Sequence, residues 1–89
     1  MKMAFRVDGD ADIGLGHLMR CLTLARALQK NCGAKILFVC TPATRVYLKR
    51  AWPAVESYTI PHGLSERQDA LQSRARLLKM RPDWLVVDG

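Results

Sequence analysis

Four short apolar runs alternate with three stretches whose apolar residues recur every three or four positions. Residues 3–8, Met-Ala-Phe-Arg-Val-Asp, read as a first strand. Residues 35–40 carry the unbroken run Ile36-Leu37-Phe38-Val39-Cys40, short and β-branched enough for a strand covered on both faces. Residues 55–60 are a weaker third strand and residues 84–88, Trp-Leu-Val-Val-Asp, a strongly apolar fourth. Between the first two, Leu18, Cys21, Leu22, Ala25 and Leu28 define an amphipathic helix from residue 17 to about residue 30, stopped by Asn31-Cys32-Gly33. A second helix is predicted from residue 43 to about residue 51, closed off by Trp52-Pro53. Ser65-Glu66-Arg67-Gln68 fits a capping box that opens a third helix, running to about residue 80 with Leu71, Ala75 and Leu78 on its inner face. Arg81-Pro82-Asp83 breaks it.

The order β-α-β-α-β-α-β implies right-handed crossovers and a parallel sheet, with strand order 3-2-1-4. The expected fold class is therefore α/β, a Rossmann-like sheet in a single domain over residues 1–89, with no internal repeat or linker. An apolar fourth strand with nothing after it leaves one sheet edge open and one helical layer thin. The expectation that follows is an incomplete N-terminal domain, the front part of a longer protein.

Composition narrows the partners. Fourteen Lys and Arg against eight Asp and Glu give a net charge of +6, which suits an anionic ligand such as a nucleotide sugar or a nucleic acid. The basic residues are spread from Lys2 to Arg81 without a dense run or interleaved aromatics, so a nucleic-acid partner is not expected. No apolar run approaches the roughly 20 residues of a membrane span, and residues 1–6 lack the apolar core of a signal peptide, so the expected location is the cytoplasm without membrane attachment. Cys21, Cys32 and Cys40 show no C-x-x-C spacing; neither a disulfide framework nor a zinc site is suggested, and all three read as core or near-core residues.

The candidate chemistry lies between the first strand and the first helix, in Asp8-Gly9-Asp10-Ala11-Asp12-Ile13-Gly14-Leu15-Gly16-His17. In an open parallel sheet, ligands enter at the carboxyl ends of the strands, where helix N-termini offer unsatisfied N–H groups. His17 stands at the first turn of the helix, behind glycines that allow a ligand close to the backbone, where the partial positive charge of the helix end favours an uncharged imidazole. On the residues alone it is either a catalytic base or a helix-start histidine that binds anions or caps. Arg20, one turn on, either clamps a phosphate or carboxylate or pairs with Asp8 or Asp12. Asp8, at the strand end, is placed to orient a partner group in the cleft; Asp10 and Asp12 read as solvated loop, and His62, in Pro61-His62-Gly63, as a surface turn. A dinucleotide fingerprint fails because Met19 stands where the third glycine belongs and no acidic residue ends the second strand. An EF-hand fails because Ile13 and Met19 occupy its glycine and glutamate places.

Arg6-Val7-Asp8 followed by Ile13-Gly14-Leu15-Gly16-His17-Leu18-Met19-Arg20-Cys21-Leu22-Thr23-Leu24-Ala25, together with the run from Asp83 to Asp88, closely resembles the N-terminal signature of the UDP-2,4-diacetamido-2,4,6-trideoxy-β-L-altropyranose hydrolases of pseudaminic acid biosynthesis. The resemblance spans the chain. It implies a two-domain fold of the GT-B glycosyltransferase type, with the donor nucleotide held largely by a C-terminal domain absent here. The implied reaction is attack of water at the anomeric carbon, with inversion and release of UDP, in a bacterial pathway that supplies surface glycans. His17 then matches the catalytic base, and Gly14, Gly16 and Arg20 match positions lining the same cleft. No cofactor or metal is implied. Two features depart from the family: the chain stops at Asp88-Gly89, where a sugar-reaching loop follows, and Gly9-Asp10 replace small uncharged residues. The chain alone is accordingly expected to be nearly inactive without a second half. A GT-B glycosyltransferase, or a non-catalytic Rossmann-like module that binds a partner or self-associates at its open edge, are the alternative readings.

Overall fold

The apolar runs and amphipathic stretches fold, in a computed structural model that describes residues 1–11 and 13–88, as β1 (Lys2–Val7), α1 (Gly16–Cys32), β2 (Lys35–Cys40), α2 (Pro42–Ala51), β3 (Glu56–Thr59), α3 (Glu66–Met80) and β4 (Trp84–Asp88). The strands form one parallel sheet in the order β3-β2-β1-β4. The α/β class, the element order and the strand order are those predicted by alternation. Boundaries move by a residue or two: Pro42 opens α2 because its fixed φ suits the first helical position. Gly33 closes α1, its N–H bonding the Gln29 carbonyl at 3.0 Å. Among the described residues, no helix is long and apolar enough to cross a membrane.

Right-handed crossovers dictate the layers. From β1 to β3 the chain steps one way across the sheet, which puts α1 and α2 on one face; the return from β3 to β4 puts α3 on the other. The first face holds the larger core, in which Phe5, Val7, Phe38 and Cys40 meet Leu18, Cys21, Leu22 and Ala25 of α1 and Leu48 of α2. Phe5 and Phe38, register partners on β1 and β2, stack with ring centroids 5.2 Å apart. Truncating either to Ala would cost about 3–5 kcal/mol. The second face is smaller, with Leu37, Val39 and Ile60 covered by the half-buried Leu77 and Met80 of α3.

Two expectations about burial fail. Leu71 and Leu78 of α3 are 56% and 62% exposed and Ala75 is also exposed, whereas Ser73 is buried. The helix is turned so that Asp69, Ser73, Leu77 and Met80 face the sheet, because Asp69 meets an arginine there and the Leu77–Met80 pair covers the second core. Leu71, Ala75 and Leu78 do form a stripe at helical spacing, but it is not the inner one. Cys32 is exposed while Cys21 and Cys40 are buried, because α1 runs a full turn past its last half-buried residue, Leu28.

Candidate functional site

Arg6 is the one charged side chain inside the apolar run of β1, and its register position turns it toward α3. A guanidinium there requires carboxylates. Its Nε donates to Asp69 Oδ1 at 2.9 Å, one terminal nitrogen donates to Asp69 Oδ2 at 2.5 Å and to Asp8 Oδ2 at 2.9 Å, and the other reaches the Val39 carbonyl at 3.3 Å. Asp8 in turn accepts the Thr41 backbone N–H at 2.9 Å and the Thr44 hydroxyl at 3.1 Å, and Thr44 Oγ1 accepts the Gly9 N–H at 3.0 Å. The network ties the carboxyl ends of β1 and β2 to the starts of α2 and α3. Burial works against the charge of Arg6, but hydrogen bonds to Asp69 and Asp8 outweigh it and hold its pKa above the ordinary guanidinium value. Burial likewise opposes ionisation of Asp8, yet Arg6 and the Thr41 and Thr44 donors bring it below the usual carboxylate range; Asp69 is lowered chiefly by its bond to Arg6. Burial, reinforced by Asp8, pushes the Cys40 thiol up to about 11, so it stays uncharged at neutral pH.

The loop that follows is built by close packing. A Cβ on Gly9 would sit 2.8 Å from Leu18 Cβ and 3.1 Å from the Gly14 carbonyl oxygen, so only glycine lets the loop lie against α1. The loop then doubles back: the Gly14 N–H bonds the Asp10 carbonyl and the Ile13 N–H bonds Asp10 Oδ1, both at 2.9 Å, with Gly14 at φ +88°. Asp10 is therefore a half-buried organiser of the turn rather than solvated loop. Asp12 lies outside the described residues. Leu15 holds the N-cap place of α1 and offers no capping side chain, and the first turn carries no acidic residue.

A groove of about 1000 Å³ runs over the α3 face of β1 and β4. It is lined by Arg6 of β1, Asp8 just beyond that strand, His17 of α1, and Glu66 and Asp69 of α3, and by a longer stretch that includes Leu77, Leu78, Leu85 and Val87. Of the residues singled out in the sequence, Asp8 and His17 thus line the same groove. Gly14, Gly16 and Arg20 stand beside the groove without lining it. A guanidinium nitrogen of Arg20 lies 2.7 Å from His17 Nδ1, a pairing not anticipated, while Asp8 is engaged by Arg6 instead. His62 is exposed in its turn, as expected.

Arg6, Thr44, Glu66 and Asp69 were missed. The signal for the first was present, since an arginine inside an apolar strand demands an anionic partner; which carboxylates answer it depends on the packing of α3. Asp8, Glu66 and Asp69 offer acceptors to hydroxyl and amide N–H groups, while Arg74 and Arg81 of the same lining add cations to Arg6. Among the described residues, no group of three or more His, Cys, Asp or Glu is placed to hold a metal ion. Compared with models of known protein families, with curated proteins and with solved structures, the chain matches none.

Proposed function

We propose that this chain is the sugar-side half of a UDP-sugar hydrolase, in which His17 takes a proton from the water that attacks the anomeric carbon while UDP departs with inversion. The observation that carries the reading is His17 at the start of α1, lining the same groove as Asp8 beyond the carboxyl end of β1. An inverting displacement needs a base within hydrogen-bond reach of water on the face opposite the leaving group. The carboxylates of Asp8, Glu66 and Asp69 supply acceptors for the hydroxyl and acetamido N–H groups of a diacetamido sugar. The nucleotide itself would be held mainly by a second domain, and the setting we propose is the cytoplasm.

The test is to follow UDP and free sugar by NMR with the UDP-linked diacetamido-trideoxy sugar, using this chain alone and with a polypeptide carrying a second nucleotide-binding domain. Release of UDP and sugar without an acceptor, reduced about 10²–10⁴-fold in His17→Ala, is the expected result. Release only when an acceptor sugar is added would replace hydrolysis by glycosyl transfer. No release in either case, with both polypeptides folded, would overturn the enzymatic reading.

A further inference from the structure

His17 and Arg20 lie three positions apart on the first turn of α1, so their side chains share one side of the helix. The 2.7 Å contact between the Arg20 guanidinium and His17 Nδ1 has a chemical consequence. A guanidinium only donates, so Nδ1 must accept; a neutral imidazole has a single ring lone pair, so its proton is then on Nε2. In this state His17 offers an N–H, and the lone pair that would receive a proton from water is directed at Arg20.

We infer that Arg20 is a positioning residue that holds His17 as the Nε2–H tautomer, and that it releases Nδ1 when an anion draws its guanidinium away. This rests on the hydrolase reading for the identity of that anion, the diphosphate of the substrate. A planar guanidinium makes stronger, charge-assisted and often bidentate bonds to phosphate oxygens than to an imidazole nitrogen. Both side chains are exposed, so the exchange of partners disturbs little packing. The other charged groups sharing the groove with His17 are Asp8, Arg6 and Asp69, which are bonded to one another, Glu66 on the first turn of α3, and Arg74 and Arg81 further along it. The base is thus withheld until substrate arrives, which suits an enzyme that must not expose an activated water beforehand.

The tautomer is read directly from two-bond ¹H–¹⁵N correlations of the histidine rings in the labelled full chain, at a pH where both rings are uncharged. His62, in its exposed turn, is the internal reference. The expected result is an Nε2–H to Nδ1–H ratio at His17 roughly threefold or more above that of His62, relaxing to the His62 ratio in Arg20→Leu and retained in Arg20→Lys. Inorganic pyrophosphate, against potassium chloride of equal ionic strength, should relax the wild-type ring and leave Arg20→Leu unchanged. A His17 ratio equal to that of His62, a ratio unaffected by Arg20→Leu, or a wild-type ring indifferent to pyrophosphate would each overturn the inference. The ring signals need no turnover, so absence of UDP release would sink the hydrolase reading while leaving the Arg20 contact intact, and the reverse outcome is equally distinguishable.

Discussion

Gly9 and Gly16 look alike in the sequence and do different work. Gly9 is buried against Leu18, and Gly9→Ala must push backbone or helix aside, with an expected loss of about 1–3 kcal/mol in urea denaturation. Gly16 opens α1, and an added Cβ meets nothing within 4 Å, so Gly16→Ala should leave stability unchanged or raise it by up to about 1 kcal/mol. Any loss of nucleotide-sugar binding in that variant would then report contact with the ligand. Arg6, Asp8 and Asp69 set the acid limb of stability. Both carboxylates have folded pKa values below the ordinary range, so the native state gains stability from them at pH above about 4 and loses it as the pH falls through the lowered values. The urea midpoint should drop steeply in that acid range, and Asp69→Asn should lower the neutral-pH midpoint while making the acid drop shallower. An equally steep drop in the variant would mean that other groups govern it.

Among the elements, α3 is the one held least by apolar packing. It buries only Ser73 outright and leans on Leu77, Met80 and the Asp69–Arg6 pair, whereas α1 buries four residues in the larger core. Its start is correspondingly well made: the Gln68 N–H bonds Ser65 Oγ at 3.2 Å and the Ser65 N–H bonds Gln68 Oε1 at 3.1 Å. Ser65→Ala should cost about 1 kcal/mol and speed amide hydrogen exchange in α3 well before α1 is affected. Uniform acceleration throughout the chain would show instead that α3 opens only with the whole fold. The capping box was legible because it is a local motif, four residues long. The rotation of α3 was not, because Leu71, Ala75 and Leu78 form as regular a stripe as the true inner face, and the choice between them is made by Arg6 on a strand sixty residues earlier.

For the whole molecule, the strand order leaves β4 at the edge of the sheet among the described residues. Trp84, Leu85 and Val87 are 63%, 47% and 71% exposed on an edge strand with no charge between its ends, and Leu85 and Val87 line the groove together with Leu78 of α3. Such an edge pairs readily with another strand. Sedimentation should show concentration-dependent self-association of the chain, suppressed by Val87→Lys, which places a charge on the edge without touching the core; a monomer at all concentrations would refute this. The edge position of β4 was legible from a fourth strand following three crossovers. The alternating runs by themselves determined the elements, the parallel sheet and the 3-2-1-4 order, because strand and helix periods are local and right-handed crossover leaves few alternatives. Glycine spacing and a histidine at a helix start pointed to the candidate site at the carboxyl end of β1. Tertiary structure alone decided which carboxylates reach Arg6, that Asp8 is tied into that network, and that α3 turns Asp69 and Ser73 toward the sheet. Each of these depends on side chains meeting across elements or on one helix choosing a rotation, and burial and hydrogen-bond satisfaction settle such choices only once the layers have packed.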